Sequence, residues 1–242
     1  MSVIWSNKTD GIVSAFLSRA QEEQGYHIRS VANAKNRSDQ IRALENNRTT
    51  ISEYLRRPDL MLSMGTQVHG TQVAYTGKPE IIADTDGLVT DRNQLAIAVL
   101  VADCAAVLLA DPVHRVVSAV HAGWRGAVQG ITEQAVSNMI KVGAEPDMIK
   151  AYLSPCISQS RFEVGEEVAS LFKEQFVDYN GPKPRVDLQK FVFQKLVDSG
   201  VSSDRIQVDQ RCTYTENRSL HSYRRDGEDS GRMMAVIALA DS

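Results

Sequence analysis

Three apolar runs follow one another in the middle of this chain, and they constrain its fold more than any other feature. Leu95–Val101 has seven residues and no polar member, with branched side chains prominent. Residues 105–110 form a second run, ended by Asp111-Pro112, and residues 115–120 form a third. Runs this short, bounded by polar residues, read as strands buried on both faces. Such strands need cover on each side, so a mixed α/β (α+β) architecture is expected, with mixed β-sheets flanked by helices. The strict βαβα alternation of a dinucleotide-binding fold is missing.

The flanking segments supply the expected helices. Asp39 is a plausible N-cap for a helix with Ile41, Leu44, Ile51 and Leu55 on one face, stopped by Pro58. A second helix is expected over residues 127–142, with Gly143 closing it. Residues 166–176 and 187–197 read as amphipathic helices, the latter capped by Asp187 and ended by Gly200. Short strands are expected at 61–64, 72–75, 205–208 and Met233–Leu239, with a turn over 84–87. No repeat, linker or composition shift divides the chain, so residues 1–242 are expected to form one domain.

Charge and composition exclude several classes of function. The chain has 27 Lys+Arg against 30 Asp+Glu, a formal net charge of −3, so no global basic field favours nucleic acid or an anionic membrane. No apolar run approaches the roughly 18–20 residues of a membrane helix. The first ten residues lack the pattern of a signal peptide. With only three cysteines, this makes a reducing cytoplasm the expected compartment.

Chemistry-bearing residues gather at strand ends. His69 follows one strand-like segment, Cys104 the second and His121 the third. A thiolate and two imidazoles make a three-ligand set, and catalytic zinc sites use three protein ligands plus one open position. Spacing alone more usually marks a small buried cysteine and two satisfied histidines. Asp103, beside Cys104, either orients a ligand or simply ends a strand. His121-Ala122-Gly123-Trp124-Arg125-Gly126 marks a strand-to-helix turn, either an anion-binding loop with Arg125 or a structural turn around Trp124. The Arg224-Arg225-Asp226-Gly227 turn is a second anion candidate, or a solvated charged turn. Glu163, among apolar neighbours, is either a proton-transfer group or, more simply, a charge placed before a helix.

Taken together, these segments resemble the YfiH/YlmD family, also labelled polyphenol oxidase, laccase-domain or purine nucleoside phosphorylase. The matching motifs run in order: Gln67-Val68-His69-Gly70, Ala102-Asp103-Cys104, then the His121 to Gly126 loop. They continue with Phe162-Glu163-Val164-Gly165, Cys212-Thr213-Tyr214-Thr215-Glu216-Asn217, Ser222-Tyr223-Arg224-Arg225-Asp226 and Gly231-Arg232. The resemblance spans residues 65–239. It implies zinc held by His69, Cys104 and His121, and a YfiH-like fold shared with cytotoxic-necrotizing-factor deamidase toxins. Its implied activities are phosphorolysis of adenosine, inosine and methylthioadenosine, and deamination of adenosine. The implied partners are thus a small-molecule nucleoside and phosphate, with Arg125, Arg224 and Arg225 as phosphate-binding candidates. This chain departs from the family at Ala20-Gln21-Glu22, where Gly-Gly-Val-Ser is usual after Ser18-Arg19. It departs again at His221, where an aromatic residue is common, and at Ser154, where glycine is common.

The laccase label meets an arithmetic limit. Five histidines, two of them assigned to one site, cannot furnish a type 1 copper plus a trinuclear centre. A lone His₂Cys copper site with Met64 as axial ligand is conceivable, and copper competes for any N/S site by intrinsic affinity. The same ligands also admit three other readings. One is an amidase that edits peptidoglycan precursors, another is a metal-free hydrolase with Cys104 as nucleophile and His121 as base, and the third is a non-catalytic metal-binding role.

Overall fold

In the computed structural model the described residues are 5–7, 11–19 and 27–240. They form two six-stranded sheets stacked face to face, with helices on both outer faces. The first sheet has the order β1 (Trp5–Asn7), β2 (Ile12–Leu17), β14 (Met233–Leu239), β7 (Leu95–Val101), β3 (Met61–Gly65), β5 (Ile81–Ile82). The second has the order β13 (Ile206–Val208), β10 (Lys150–Leu153), β8 (Ala105–Asp111), β9 (Val116–Ala122), β6 (Gly87–Thr90), β4 (Val73–Tyr75). A two-stranded ribbon, β11 (Val177–Asp178) and β12 (Arg185–Val186), lies apart.

The apolar runs are explained by this layering. Every residue of β7, β8, β9 and β14 is buried. Alternate side chains serve different layers, as the two-residue period of a strand requires. Ile97, Val99, Ala106, Leu108, Val117, Ala119, Ala235 and Ile237 fill the space between the sheets with Phe16 and Tyr152. Ala96, Ala98, Met234 and Val236 face the other way, against Ala43, Leu44 and Ile51 of helix α1 (Arg37–Leu55). On the far side Val107, Leu109 and Val120 meet Ile131, Ala135 and Met139 of a second helix and Val192 and Leu196 of a third.

Three helical expectations are corrected. The N-cap of α1 is Asn36, whose side-chain oxygen accepts the Asp39 N–H at 3.0 Å, so Asp39 supplies first-turn charge instead. Residues 127–142 are not one helix. A short α2 (Trp124–Val128) and α3 (Ile131–Val142) are separated at Gly130, whose φ of 94° no continuous helix accommodates. Residues 166–176 form only one turn, α4 (Glu166–Ala169), followed by a tighter turn at Glu174–Phe176. Phe172 and Phe176 instead pack edge-to-face on Phe191, at 4.8 and 5.2 Å between ring centres. Phe191 belongs to α5 (Leu188–Asp198), which Asp187 caps as expected through the Lys190 N–H. Among the described residues no helix is long and apolar enough to cross a membrane.

Strand direction assembles the site. β3 and β7 run parallel, so the segments that leave them toward His69 and Cys104 emerge at the same end. Cys104 sits immediately before β8, and β8 pairs antiparallel with β9 in the register Ala105↔Ala122 and Ala106↔His121. The end of β9 is thereby brought beside the start of β8.

Candidate metal centre

The three ligand candidates converge at this end of the sheets. The ligand atoms of His69, Cys104 and His121 all lie within 4.8 Å of one another, and they form the one such three-residue cluster among the described residues. The two imidazole rings meet edge-on, 4.7 Å apart. A tetrahedral ion with bonds of about 2.0–2.3 Å needs donors of this kind at roughly this spacing. The Cys/His donor set therefore fits a metal.

A residue the sequence reading passed over as part of a turn holds this cluster in place. Asp86 is fully buried just before β6. Its carboxylate accepts the main-chain N–H groups of Val68, His69 and Gly70 at 3.0, 2.9 and 2.8 Å. This fixes His69 in a left-handed conformation, φ 60°, that a non-glycine residue seldom adopts unaided. The same carboxylate lies 2.7 Å from His121 Nδ1. That contact directs Nε2 of His121 toward the ligand cluster. Burial would raise the Asp86 pKa, but the His121 contact and the main-chain donors hold it below the ordinary carboxylate range.

Electrostatics favour the thiolate. Burial alone would push the Cys104 thiol up, yet His121 and then His69 bring it down to about 6. His121 rises to about 9: burial opposes its charge, but the Cys104 thiolate and Asp86 outweigh that cost. Gly123 follows this pair for a steric reason. A β-carbon there would sit 3.0 Å from both Cys104 Sγ and a His69 ring carbon.

The cluster opens on a cavity of about 580 Å³. Trp124, Phe162 and Tyr223 line it, with Arg125, Arg224 and Arg232. Arg125 stacks on Trp124 at 4.5 Å. Arg224 lies 5.6 Å from the Phe162 ring and donates to the Glu163 carbonyl at 3.1 Å. Asp103, at φ 84°, accepts from the Thr213 hydroxyl and, at 2.6 Å, from the Arg224 main-chain N–H. It thereby ties the Arg224 turn to the Cys104 strand.

Three earlier candidates lie elsewhere. Arg225 does not line the cavity. Its guanidinium is held by Asp226 at 2.7 Å and by the carbonyls of Thr213, Tyr214 and Leu220, so it is a structural clamp. The Glu163 residue is exposed and lies outside the cavity lining. Met64 is buried on the helix side of the first sheet, its sulfur accepting from Asn47, which excludes it as an axial copper ligand. Tyr223 and Arg232, named above only as motif members with no role, also line the cavity, and so does Glu228, which no motif included because a charged turn carries no spacing signal.

Comparison with known proteins agrees with this architecture. Residues 13–240 match a family model described as multi-copper polyphenol oxidoreductase laccase. A purine nucleoside phosphorylase of Deinococcus radiodurans is 36% identical over 212 residues, 86% of this chain and 81% of that one. Adenosine deaminase RL5, from an unknown prokaryotic organism, is 37% identical over 160 residues, 63% of this chain and 61% of the relative. The crystal structure of Bacillus licheniformis hypothetical protein YfiH shares the fold, with a TM-score of 0.82 and 24% identity, covering 94% of this chain and 92% of that one. With this fold, this cluster and a match along nearly its whole length, the chain belongs to the YfiH-like laccase-domain family.

Proposed function

We propose that the protein is a zinc-dependent purine nucleoside phosphorylase that also deaminates adenosine. One observation carries the reading: a His–Cys–His cluster opens on a cavity that also presents arginines and aromatic faces. At about 580 Å³ the cavity is in the range that holds a small-molecule ligand. Adenosine, inosine and methylthioadenosine are the expected nucleosides; the relatives' names support a purine nucleoside and, for deamination, adenosine. Three cysteines outside any disulfide suit a reducing cytoplasm.

The chain's own residues divide the work. His69, Cys104 and His121 would hold zinc, which supplies Lewis acidity and an activated water for attack at the purine. Asp86 keeps the His121 proton on Nδ1 and so keeps Nε2 available. Arg125, whose guanidinium makes no hydrogen bond among the described residues, and Arg224 offer charge to phosphate. Trp124 and Phe162 offer faces on which a base stacks.

A second reading is favoured by the chain of contacts from Cys104 through His121 to Asp86. This is the order of a nucleophile, a base and an orienting carboxylate, suited to amide hydrolysis without metal. Metal analysis of protein purified without added metal separates the two. One zinc per chain is expected, lost in Cys104→Ala and in His121→Ala. Adenosine is then offered with and without phosphate. Phosphate-dependent ribose-1-phosphate and phosphate-independent inosine are expected, and both should stop after chelation. Undiminished turnover of an amide by the chelated protein would establish the second reading instead.

A further inference from the structure

Two acidic side chains line the cavity, Asp103 and Glu228, and they differ in what remains open to a ligand. Both Asp103 oxygens are engaged, by the Thr213 hydroxyl and the Arg224 N–H. Glu228 sits on the turn after helix α6 (Tyr223–Asp226), within a tight turn at Gly227–Asp229. Its Oε1 accepts the Tyr223 hydroxyl at 2.8 Å, and Oε2 has no partner among the described residues. Tyr223 is itself steadied by Arg232, whose guanidinium lies 5.8 Å from the ring and is anchored on the carbonyls of Ser230 and Gly231. The hydrogen bond to the negative Glu228 raises the Tyr223 pKa, which favours the protonated phenol that donates to Oε1.

We propose that Glu228, held by Tyr223, accepts hydrogen bonds from the vicinal hydroxyls of a ribose bound in this cavity. The proposal rests on the nucleoside reading above and assigns the sugar end of that substrate. A carboxylate is an acceptor without donors, whereas a diol presents donors. Hydrogen bonds to an ionised acceptor are about twice as strong as neutral ones. A site built to accept from a hydroxyl discriminates against the analogue that lacks it, because the polar group is left unpaired. The cavity arginines suit phosphate and the aromatic faces suit the base. Glu228 is the carboxylate of the lining with an oxygen left to accept from the hydroxyls.

The test compares adenosine as substrate with 2′,3′-dideoxyadenosine as competitor, using the metal-loaded, full-length protein. In the unmodified protein the competitor's Ki should exceed the adenosine KM at least tenfold. In Glu228→Ala that ratio should fall to about one to two through a rise in the adenosine KM, with Ki unchanged. Glu228→Gln should fall between. Glu228 is exposed, so neither substitution should unfold the protein, and circular dichroism checks this. An unchanged ratio in Glu228→Ala overturns the proposal while leaving the nucleoside activity standing. A fall in kcat with the ratio preserved also overturns it, because it assigns Glu228 to proton transfer. If the unmodified protein neither binds nor converts adenosine, the nucleoside reading itself fails, and the proposal with it.

Discussion

Asp86 makes four hydrogen bonds with one carboxylate: three from successive main-chain N–H groups and one with His121 Nδ1. Asp86→Asn replaces one acceptor oxygen with a donor, setting N–H against N–H. Metal affinity should fall about 10–100-fold, read by competition with a chromophoric chelator, with about 1–3 kcal/mol of stability lost. A variant with native affinity would show that His121 needs no orienting partner. Cys104 gives a pH prediction. Its pKa is lowered, so the thiolate persists as pH falls until about 6. Iodoacetamide labelling of the metal-free protein should therefore rise through a midpoint near 6 and shift upward in His121→Ala. A midpoint above 8 in the unmodified protein would contradict the thiolate–imidazolium pair. The ligands themselves were legible as strand ends. Asp86 was not, because its partners lie 16–18 residues before it and 35 after it, and no local spacing records contacts that the fold alone creates.

At the scale of the element, the short helix α6 separates two arginines that look equivalent in sequence. Neighbours on a helix point about 100° apart. Arg224 therefore faces the cavity while Arg225 turns inward onto three carbonyls and Asp226. Arg225→Lys should cost about 1–3 kcal/mol because carbonyls lose their donors. In a chain of this size that is about 2–4 °C of melting temperature per kcal/mol. Arg224→Lys should leave the melting temperature alone and weaken phosphate by about 1–3 kcal/mol, with deamination spared. Thermal melts paired with phosphate titrations of each variant check both statements, and the reverse pattern would exchange the two roles. Helix breaks were legible only in part. Gly143 at the end of a periodic stretch signals closure, but Gly130 within it reads as a tolerated interior glycine until its positive φ is seen.

The whole molecule sets its chemistry at the margin of its apolar clusters, with Cys104 packed against one and Trp124 against another. The three clusters fill the space between the sheets and beneath the helices, while the candidate ligands sit at the strand ends. Removing metal with a chelator should leave the far-UV circular dichroism native. It should lower the melting temperature only by the binding contribution, about 2.7 kcal/mol when free metal stands at one hundred times its Kd. Collapse of the spectrum on chelation would mean that the metal organises the sheets. Strands β7 and β14 were legible residue for residue because seven apolar positions in a row require cover on both faces. Their pairing was not: β14, almost the last segment of the chain, inserts between β2 and β7, and nothing in its composition names those neighbours. The placement of the site has an evolutionary consequence. Every candidate ligand, with Asp86, lies between His69 and His121, and Trp124 and Arg125 follow directly, whereas Phe162, Tyr223, Arg224, Glu228 and Arg232 come from later segments. The ligand set and much of the cavity wall thus occupy different stretches of polypeptide, tied together at Asp103. A later segment grafted from a relative would therefore reshape that wall, and with it which molecule is accepted, while the ligand set and its Asp86 anchor pass on unchanged.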